Sequence, residues 1–233
     1  MRVAIISDIH SNLQALTQAL AAIDERGVDK IYCLGDIVGY GGNPNECVDL
    51  VRRRSAICVL GNHDLAALDP IQSEFFSRPG RIAIEWTRSV LTQENLAFLS
   101  SLPYRASAEV FTLAHASPLD PDQWQYVLSL QVAKLQFPAF STQICFIGHT
   151  HVPAICGEDL KTFVLKNHKR FLINVGSVGQ PRDGNPQLSF GLFDTDAWKY
   201  DNVRVNYDID KAAMAIRSQG LPSTLAARLY QGA

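Results

Sequence analysis

Apolar runs of strand length punctuate this chain: Val3-Ala4-Ile5-Ile6, Ile31-Tyr32-Cys33-Leu34, Ile57-Cys58-Val59-Leu60, Val110-Phe111-Thr112-Leu113-Ala114 and Ile144-Cys145-Phe146-Ile147. Such continuous runs read as buried strands. The spacing predicts strands over 2–7, 30–34 and 56–60, with helices between them. Ser11 reads as the first helix's N-cap, with Gln14 completing a capping box, and Leu13, Leu16, Leu20 and Ile23 share one face until Gly27. A second helix is predicted around 44–54, with Asn43 as N-cap and Pro44 at the first helical position. This β-α-β-α-β order implies parallel strands and right-handed crossovers. Residues 65–100 are mostly helical by pattern (Ile82, Trp86, Leu91, Leu96, Leu99), with Pro79-Gly80 as punctuation.

The second half is richer in strands. Candidates are 109–114, 144–147, 162–167, 171–175, 188–194 and 200–207, with a helix near 128–137 and two closing helices over 208–218 and 222–230. Turn signals fall at Gly157, Asn167, Asp183-Gly184-Asn185 and Asp194–Asp196. Two sheets packed face to face, with helices outside each, accommodate this α/β pattern. There is no repeat, low-complexity tract or long linker, and 233 residues fit one domain spanning 1–233.

Composition mainly excludes. A net charge of −2 argues against an electrostatic grip on polymeric nucleic acid or on anionic membranes. Arg52-Arg53-Arg54 close a predicted helix, where cations complement its dipole; Lys166, Lys169 and Arg170 flank a predicted hairpin turn. Five cysteines without CxxC spacing, three of them inside apolar runs, read as buried free thiols in a reducing compartment. The chain opens on a strand, and no apolar stretch approaches membrane-spanning length, so the expected location is the cytoplasm.

The chemistry sits where the runs end. Asp8-x-His10, Gly35-Asp36, Gly61-Asn62-His63-Asp64, His115 and Gly148-His149-Thr150-His151 each follow a strand-like stretch. Parallel strands ending in polar residues deliver them to one sheet edge, where α/β folds build their sites. Asp8, His10, Asp36, Asn62, His115, His149 and His151 together offer oxygen and imidazole donors without a thiolate. Divided between two cations, with Asp36 able to bridge, they give each about four ligands and leave room for water. Such a set favours manganese, iron, zinc, cobalt or nickel over copper or calcium, with manganese the first choice. The irregular loop over 116–126 follows His115 and is a candidate lid or specificity element.

This ordered series resembles the calcineurin-like metallophosphoesterase superfamily. Asn174-Val175-Gly176-Ser177-Val178-Gly179-Gln180-Pro181-Arg182 extends the likeness to its small bacterial members, a branch of phosphodiesterases related to diadenosine tetraphosphatases. The resemblance implies a four-layer α/β/β/α sandwich and two divalent metals. Carried over by motif, Asp8, His10, Asp36 and His151 bind one metal, while Asp36, Asn62, His115 and His149 bind the other. His63 is then the catalytic residue beside the scissile bond, as general acid or as donor to the phosphoryl oxygens. Asp64 reads as holding the loop that presents Asn62.

The sequence departs from one branch. Protein phosphatases and symmetric diadenosine tetraphosphatases of the superfamily carry Asp and Arg where this chain has Gly39 and Tyr40, in Gly35-Asp36-Ile37-Val38-Gly39-Tyr40-Gly41. A partner for the general acid and a bidentate phosphate clamp are both missing. The expected activity is therefore hydrolysis of phosphodiesters or nucleotide pyrophosphates by a metal-bridging hydroxide. Alternatives are asymmetric diadenosine polyphosphate hydrolysis, phosphomonoester or phosphoprotein hydrolysis, and a non-catalytic scaffold. Tyr40 and Arg182 are candidate substrate contacts, and Tyr40, Trp124 and Tyr126 are aromatics able to clamp an adenine. The expected partner is a small phosphoester or nucleotide, with no nucleic-acid polymer and no membrane; a homo-oligomer is left open.

Overall fold

Successive residues of the apolar runs go to different cores. A computed structural model describes every residue except Glu109 and Asn167. In β1 (Arg2–Ile6) and β2 (Lys30–Cys33), Ala4, Ile6, Ile31 and Cys33 pack on α1 (Leu13–Asp24) and α2 (Pro44–Arg54). Val3, Ile5 and Tyr32 point the other way, into a second core shared with Phe111, Leu113, Ile144, Phe146, Phe171 and Ile173. Those six belong to β5 (Phe111–Ala114), β6 (Ile144–Ile147) and β8 (Phe171–Asn174). Cys145, Ile147 and Leu172 from the same strands face outward, onto α6 (Leu130–Gln136) and the short turn Phe137–Ala139. The period-2 pleat thus splits each strand between two layers. Helices, sheet, sheet and helices stack as an α/β/β/α sandwich.

Among the described residues both sheets have five strands. With β3 (Ile57–Cys58), β9 (Leu188–Asp194) and β10 (Lys199–Val205), the first runs β10-β9-β1-β2-β3; β1, β2 and β3 are parallel. With β4 (Arg105–Ala108) and β7 (Ala154–Gly157), the second runs β4-β5-β6-β8-β7; β5, β6 and β8 are parallel. Phe111 anchors the space between them, with ring centroids 5.4 Å from Phe146 and 5.2 Å from Phe193. Burying a side chain of this size contributes about 1.5–3 kcal/mol.

The remaining helices are α3 (Asn62–Leu68), α4 (Arg78–Val90), α5 (Gln93–Ser100), α7 (Ile209–Ser218) and α8 (Ser223–Gln231). Several expectations need correction. The cap of α1 is Asn12, whose Oδ1 accepts from the Ala15 N–H at 3.1 Å, not Ser11, which is spent on a left-handed turn at φ 54°. Asn43 does stand at the N-cap of α2, but its side chain donates to Glu46 and caps nothing. Pro79-Gly80 is the first turn of α4, not a break. The stretch 162–167 forms no strand among the described residues. Phe163 and Val164 are exposed (52% and 71%), Leu165 packs half-buried on the core between the sheets, and the edge of β8 that the stretch would need is taken by β7, so among the described residues no hairpin pairs it with β8. The expected strand 109–114 begins on Glu109, and one turn signal was Asn167; both lie outside the described residues. The three arginines do close α2, with Arg52 paired to Asp49 and Glu94 and Arg54 to Asp24. Among the described residues no helix is long and apolar enough to cross a membrane.

Candidate metal centre

Each parallel strand hands its last polar residue to the same edge, and hydrogen bonds between the loops lock the edge together. The N–H groups of Asp8 and Ile9 donate to the carbonyls of Gly35 and Asp36 at 3.1 and 2.9 Å. Across the two sheets, the His149 N–H donates to Asp8 Oδ2 at 3.0 Å, and His115 Nδ1 reaches the Leu34 carbonyl at 2.8 Å. The 174–182 turn braces this seam: Ser177 Oγ donates to the Asp8 carbonyl at 2.7 Å, and Asn174 Nδ2 to the Gly148 carbonyl at 2.6 Å. Gly148 is required by contact, because a β-carbon there would stand 2.0 Å from Ser7 Oγ and 2.4 Å from Asp8 Oδ2.

All the expected ligand positions converge. Donor atoms of Asp8, His10 and His151, of His10, Asp36 and His63, and of Asp36, His115 and His149 form three buried groups, each within 4.8 Å. Asp36 belongs to two of them: its Oδ2 is 3.6 Å from His10 Nε2 and 3.3 Å from His115 Nε2. Asn62 Oδ1 lies 3.2 Å from His115 Nε2, which is also 3.2 Å from His149 Nδ1. Asp64 stays out of the cluster. Its Oδ1 accepts from the Ile37 and Val38 N–H groups and its Oδ2 from Gly61, tying the Asp36 loop to the Asn62 loop.

The tautomers decide what this arrangement can do. His10 Nδ1 donates to the Val38 carbonyl at 3.1 Å and His151 Nδ1 to the Gln180 carbonyl at 2.5 Å. That fixes both Nε2 atoms as bare lone pairs, yet they face each other at 3.1 Å. Burial pushes both imidazoles below their ordinary range, so neither brings a proton to fill the gap. Two lone pairs at this distance repel; a cation about 2.0–2.2 Å from each would draw them together. Carbonyl partners on the far nitrogens are what orient metal-binding histidines. His149 Nε2 is buried without a partner, leaving Nδ1 toward the cluster. For His115, burial works against the charge, but Asp36 and Asp8 outweigh it and hold the imidazole up at about 10. The donor set and its spacing therefore fit divalent cations.

The backbone is strained here. Asp8, His10, Asp36, His149 and His151 all have left-handed φ values between 49° and 65°. Such turns cost a non-glycine residue roughly 1–3 kcal/mol each and cluster at functional sites.

A cleft of about 790 Å³ opens over the cluster, lined by Tyr40, Asn62, His63, His149 and Arg182, with Phe75, Phe76, Tyr104, Trp124, Tyr126 and Arg228 around them. The ring of His63 lies between Tyr40 and Phe76, 4.4 Å from each. Burial, reinforced by Arg182 and opposed by Asp36, pushes it down to about 4. Its Nδ1 is buried without a partner against Gly39, where a β-carbon would come within 2.4 Å. No carboxylate could be added at Gly39 without displacing His63. Tyr126 stacks on His149 at 4.0 Å and Trp124 meets His115 edge-on at 5.9 Å, so the 116–126 loop does shape the cleft. Sequence reasoning missed Arg228, because nothing in the pattern of α8 tells which of its faces meets a loop 190 residues earlier.

Comparisons with known proteins agree with this geometry. Residues 1–197 match the family model of the calcineurin-like phosphoesterase superfamily domain. An uncharacterised protein of Methanocaldococcus jannaschii is 42% identical over 99% of this chain and 98% of its own length. The crystal structure of a metallophosphoesterase from Sphaerobacter thermophilus superposes with a TM-score of 0.90 at 43% identity, covering 100% of this chain and 99% of its own. A hypothetical protein of Pyrococcus horikoshii shares the fold, with a TM-score of 0.84 at 20% identity over 100% of this chain and 98% of its own.

Proposed function

Because the chain belongs to the calcineurin-like phosphoesterase superfamily and is a metal-dependent hydrolase of phosphoric esters, we propose that it cleaves phosphodiester or nucleotide pyrophosphate bonds at a two-cation centre. The observation that carries the two-cation reading is the pair of opposed lone pairs on His10 and His151, with Asp36 between that pair and a second group of donors made by His115, His149 and Asn62. One cation is held by Asp8, His10, Asp36 and His151, the other by Asp36, Asn62, His115 and His149. Bound there, divalent cations, manganese first, supply Lewis acidity and an activated water at neutral pH. The chain's own residues do the rest: Asp36 sets the spacing of the two halves, and the aromatic walls narrow the opening above them. The thiols are free, which suits a cytoplasmic protein, and the whole chain of 1–233 is read as one domain.

The substrate class follows from charge. With Gly39 and Tyr40 in place of Asp and Arg, the loop after Asp36 supplies neither a carboxylate partner for His63 nor a guanidinium of its own, and a monoanionic diester or a phosphoanhydride needs less extra cation. A second reading, asymmetric hydrolysis of a diadenosine polyphosphate, is favoured by Tyr40, Trp124 and Tyr126 all lining the cleft. Metal-stripped protein restored with manganese is the test, on bis(p-nitrophenyl) phosphate, p-nitrophenyl phosphate and diadenosine tetraphosphate. Turnover of the diester or the dinucleotide that returns only with metal is expected. A preference for the monoester contradicts the substrate class, and a protein that takes up no metal returns the scaffold alternative.

His63 is read as a neutral hydrogen-bond donor to the phosphoryl group rather than as a proton source. Its Nδ1 has no carboxylate to stabilise an imidazolium, which leaves Nε2 to face the substrate. His63→Ala is expected to keep full metal content and lose roughly 10²–10³-fold in kcat, the range for a lost oxyanion donor. The loss should be the same for diesters with good and poor leaving groups. A loss that steepens as the leaving group worsens would make His63 the general acid.

A further inference from the structure

Two guanidinium groups face the cleft from the Tyr40 side, and neither belongs to the metal cluster. Arg182 is held by Gln180 Oε1, 2.9 Å from Nη2 and 3.2 Å from Nε, with Tyr40 Oη at 3.5 Å and its Cζ 5.8 Å from the Tyr40 ring centroid. Arg228, on α8, donates from Nε to the Ala233 carbonyl at 2.6 Å. Among the described residues, no side-chain carboxylate pairs with either one. Both cleft arginines are half-buried, and burial followed by the nearby Arg182 charge holds the Arg228 guanidinium below its ordinary range. Two partly desolvated cations that line one cleft, neither paired with an Asp or Glu among the described residues, favour an anion between them.

The lining contributed by the 116–126 loop differs in chemistry. Trp124 and Tyr126 stand over His115 and His149, Tyr104 packs on Trp124 at 5.6 Å, and the carboxylate of Asp122 is on this side. A volume of about 790 Å³ suits a nucleotide-sized ligand, since small-molecule sites span roughly 300–1,000 Å³. The cleft therefore combines two guanidinium groups with aromatic faces, and Trp124 and Tyr126 are the aromatics that stand against the metal cluster at His115 and His149.

We infer that Arg182 and Arg228 form a second anion subsite, which holds the non-scissile phosphates of a nucleoside polyphosphate whose base reaches Trp124 and Tyr126. The scissile phosphorus then lies over the metals. This narrows the reading above from diesters in general to phosphoanhydrides, and it rests on that reading. Planar guanidinium forks match phosphate oxygens bidentately, which a lone metal contact does not. Arg182 lies within residues 1–197, the part that matches the superfamily domain, and Arg228 lies beyond it, so the matched part supplies only one of the two guanidinium groups.

The first test reads binding without catalysis: ADP and adenosine are titrated by calorimetry into metal-stripped protein in excess chelator. ADP should bind at least tenfold more tightly than adenosine, with Arg182→Gln and Arg228→Gln each removing about tenfold of the ADP affinity. Arg228→Lys should recover part of it, and thermal melts check that each variant is folded. If Arg228→Gln does not fold, Arg182→Gln and Arg228→Lys carry the test. With manganese-loaded protein, the ratio of kcat/KM for diadenosine tetraphosphate over bis(p-nitrophenyl) phosphate should fall at least tenfold in Arg228→Gln. Equal ADP affinity in wild type and folded variants, or ADP no tighter than adenosine, overturns the subsite. Tight ADP binding without hydrolysis of either substrate leaves the subsite standing and removes the phosphoesterase reading instead.

Discussion

Replacing Asp36 with asparagine is expected to abolish turnover, with a loss of roughly a thousandfold or more, since even the outer partners of metal ligands are worth about 10–100-fold. The carboxylate does three jobs at once. Its Oδ1 accepts the His63 N–H at 2.8 Å, fixing the start of α3, while Oδ2 faces His10 and His115 at 3.6 and 3.3 Å. It is also the anion that offsets the protonated His115: burial pulls Asp36 up, but the charge and hydrogen bond of His115 outweigh it and hold the carboxyl well below its usual range. An asparagine keeps the shape and one oxygen, yet it turns an NH2 group toward one side of the cluster and removes the charge. Elemental analysis should show metal falling from two equivalents to one or none, while the far-ultraviolet spectrum stays that of a folded protein. Two retained equivalents with a rate within about tenfold of wild type would refute the shared-ligand assignment.

The second large effect is expected from a single methyl group. Gly148→Ala places a β-carbon 2.0 Å from Ser7 Oγ, 2.4 Å from Asp8 Oδ2 and 2.9 Å from Ser7 Cβ, at the seam where β6 meets β1. Ser7 is fully buried and Asp8 is held by the His149 N–H, so neither has room to retreat. Overpacking of this kind costs about 1–3 kcal/mol. Here it also pushes a proposed ligand out of place. A lowered melting temperature together with loss of metal and of activity is expected. If melting temperature and metal content both match wild type, the seam is softer than its contacts imply and Asp8 is not fixed by Gly148.

Much of this was legible in the sequence because burial and chemistry leave different marks. The two-sided strands β1, β2 and β6 read as unbroken apolar runs, and β8, β9 and β10 fall on the strand candidates 171–175, 188–194 and 200–207. The ligand positions were legible because each run ends in a donor, and parallel strands can only deliver their ends to one edge. The short edge strands were not. Arg105-Ala-Ser-Ala108 in β4 has exposed polar and small residues, and Ala154-Ile-Cys-Gly157 in β7 follows directly on Pro153, so neither carries a strong strand signal. The false strand at 162–167 shows the converse: β-prone residues form a strand only where a neighbouring edge is free. Ser11 and Asn12 are both good caps, and only the tertiary turn at Ser11 decides between them. Arg228 depends on how α7 and α8 dock beside Tyr40, a long-range packing fact with no local trace.

The left-handed turns at Asp8, His10, Asp36, His149 and His151 also say how such a centre would decay. At each of these positions the backbone conformation favours glycine, and only the function of the side chain argues otherwise. Under relaxed selection, the replacements that cost the fold least are therefore glycine and asparagine, while alanine or a branched residue keeps the strain and gives up the ligand. A descendant that abandoned catalysis yet kept the sandwich would carry glycines where the donors had been. Its sequence would record the lost chemistry as a string of unusually flexible turns after intact, apolar strands.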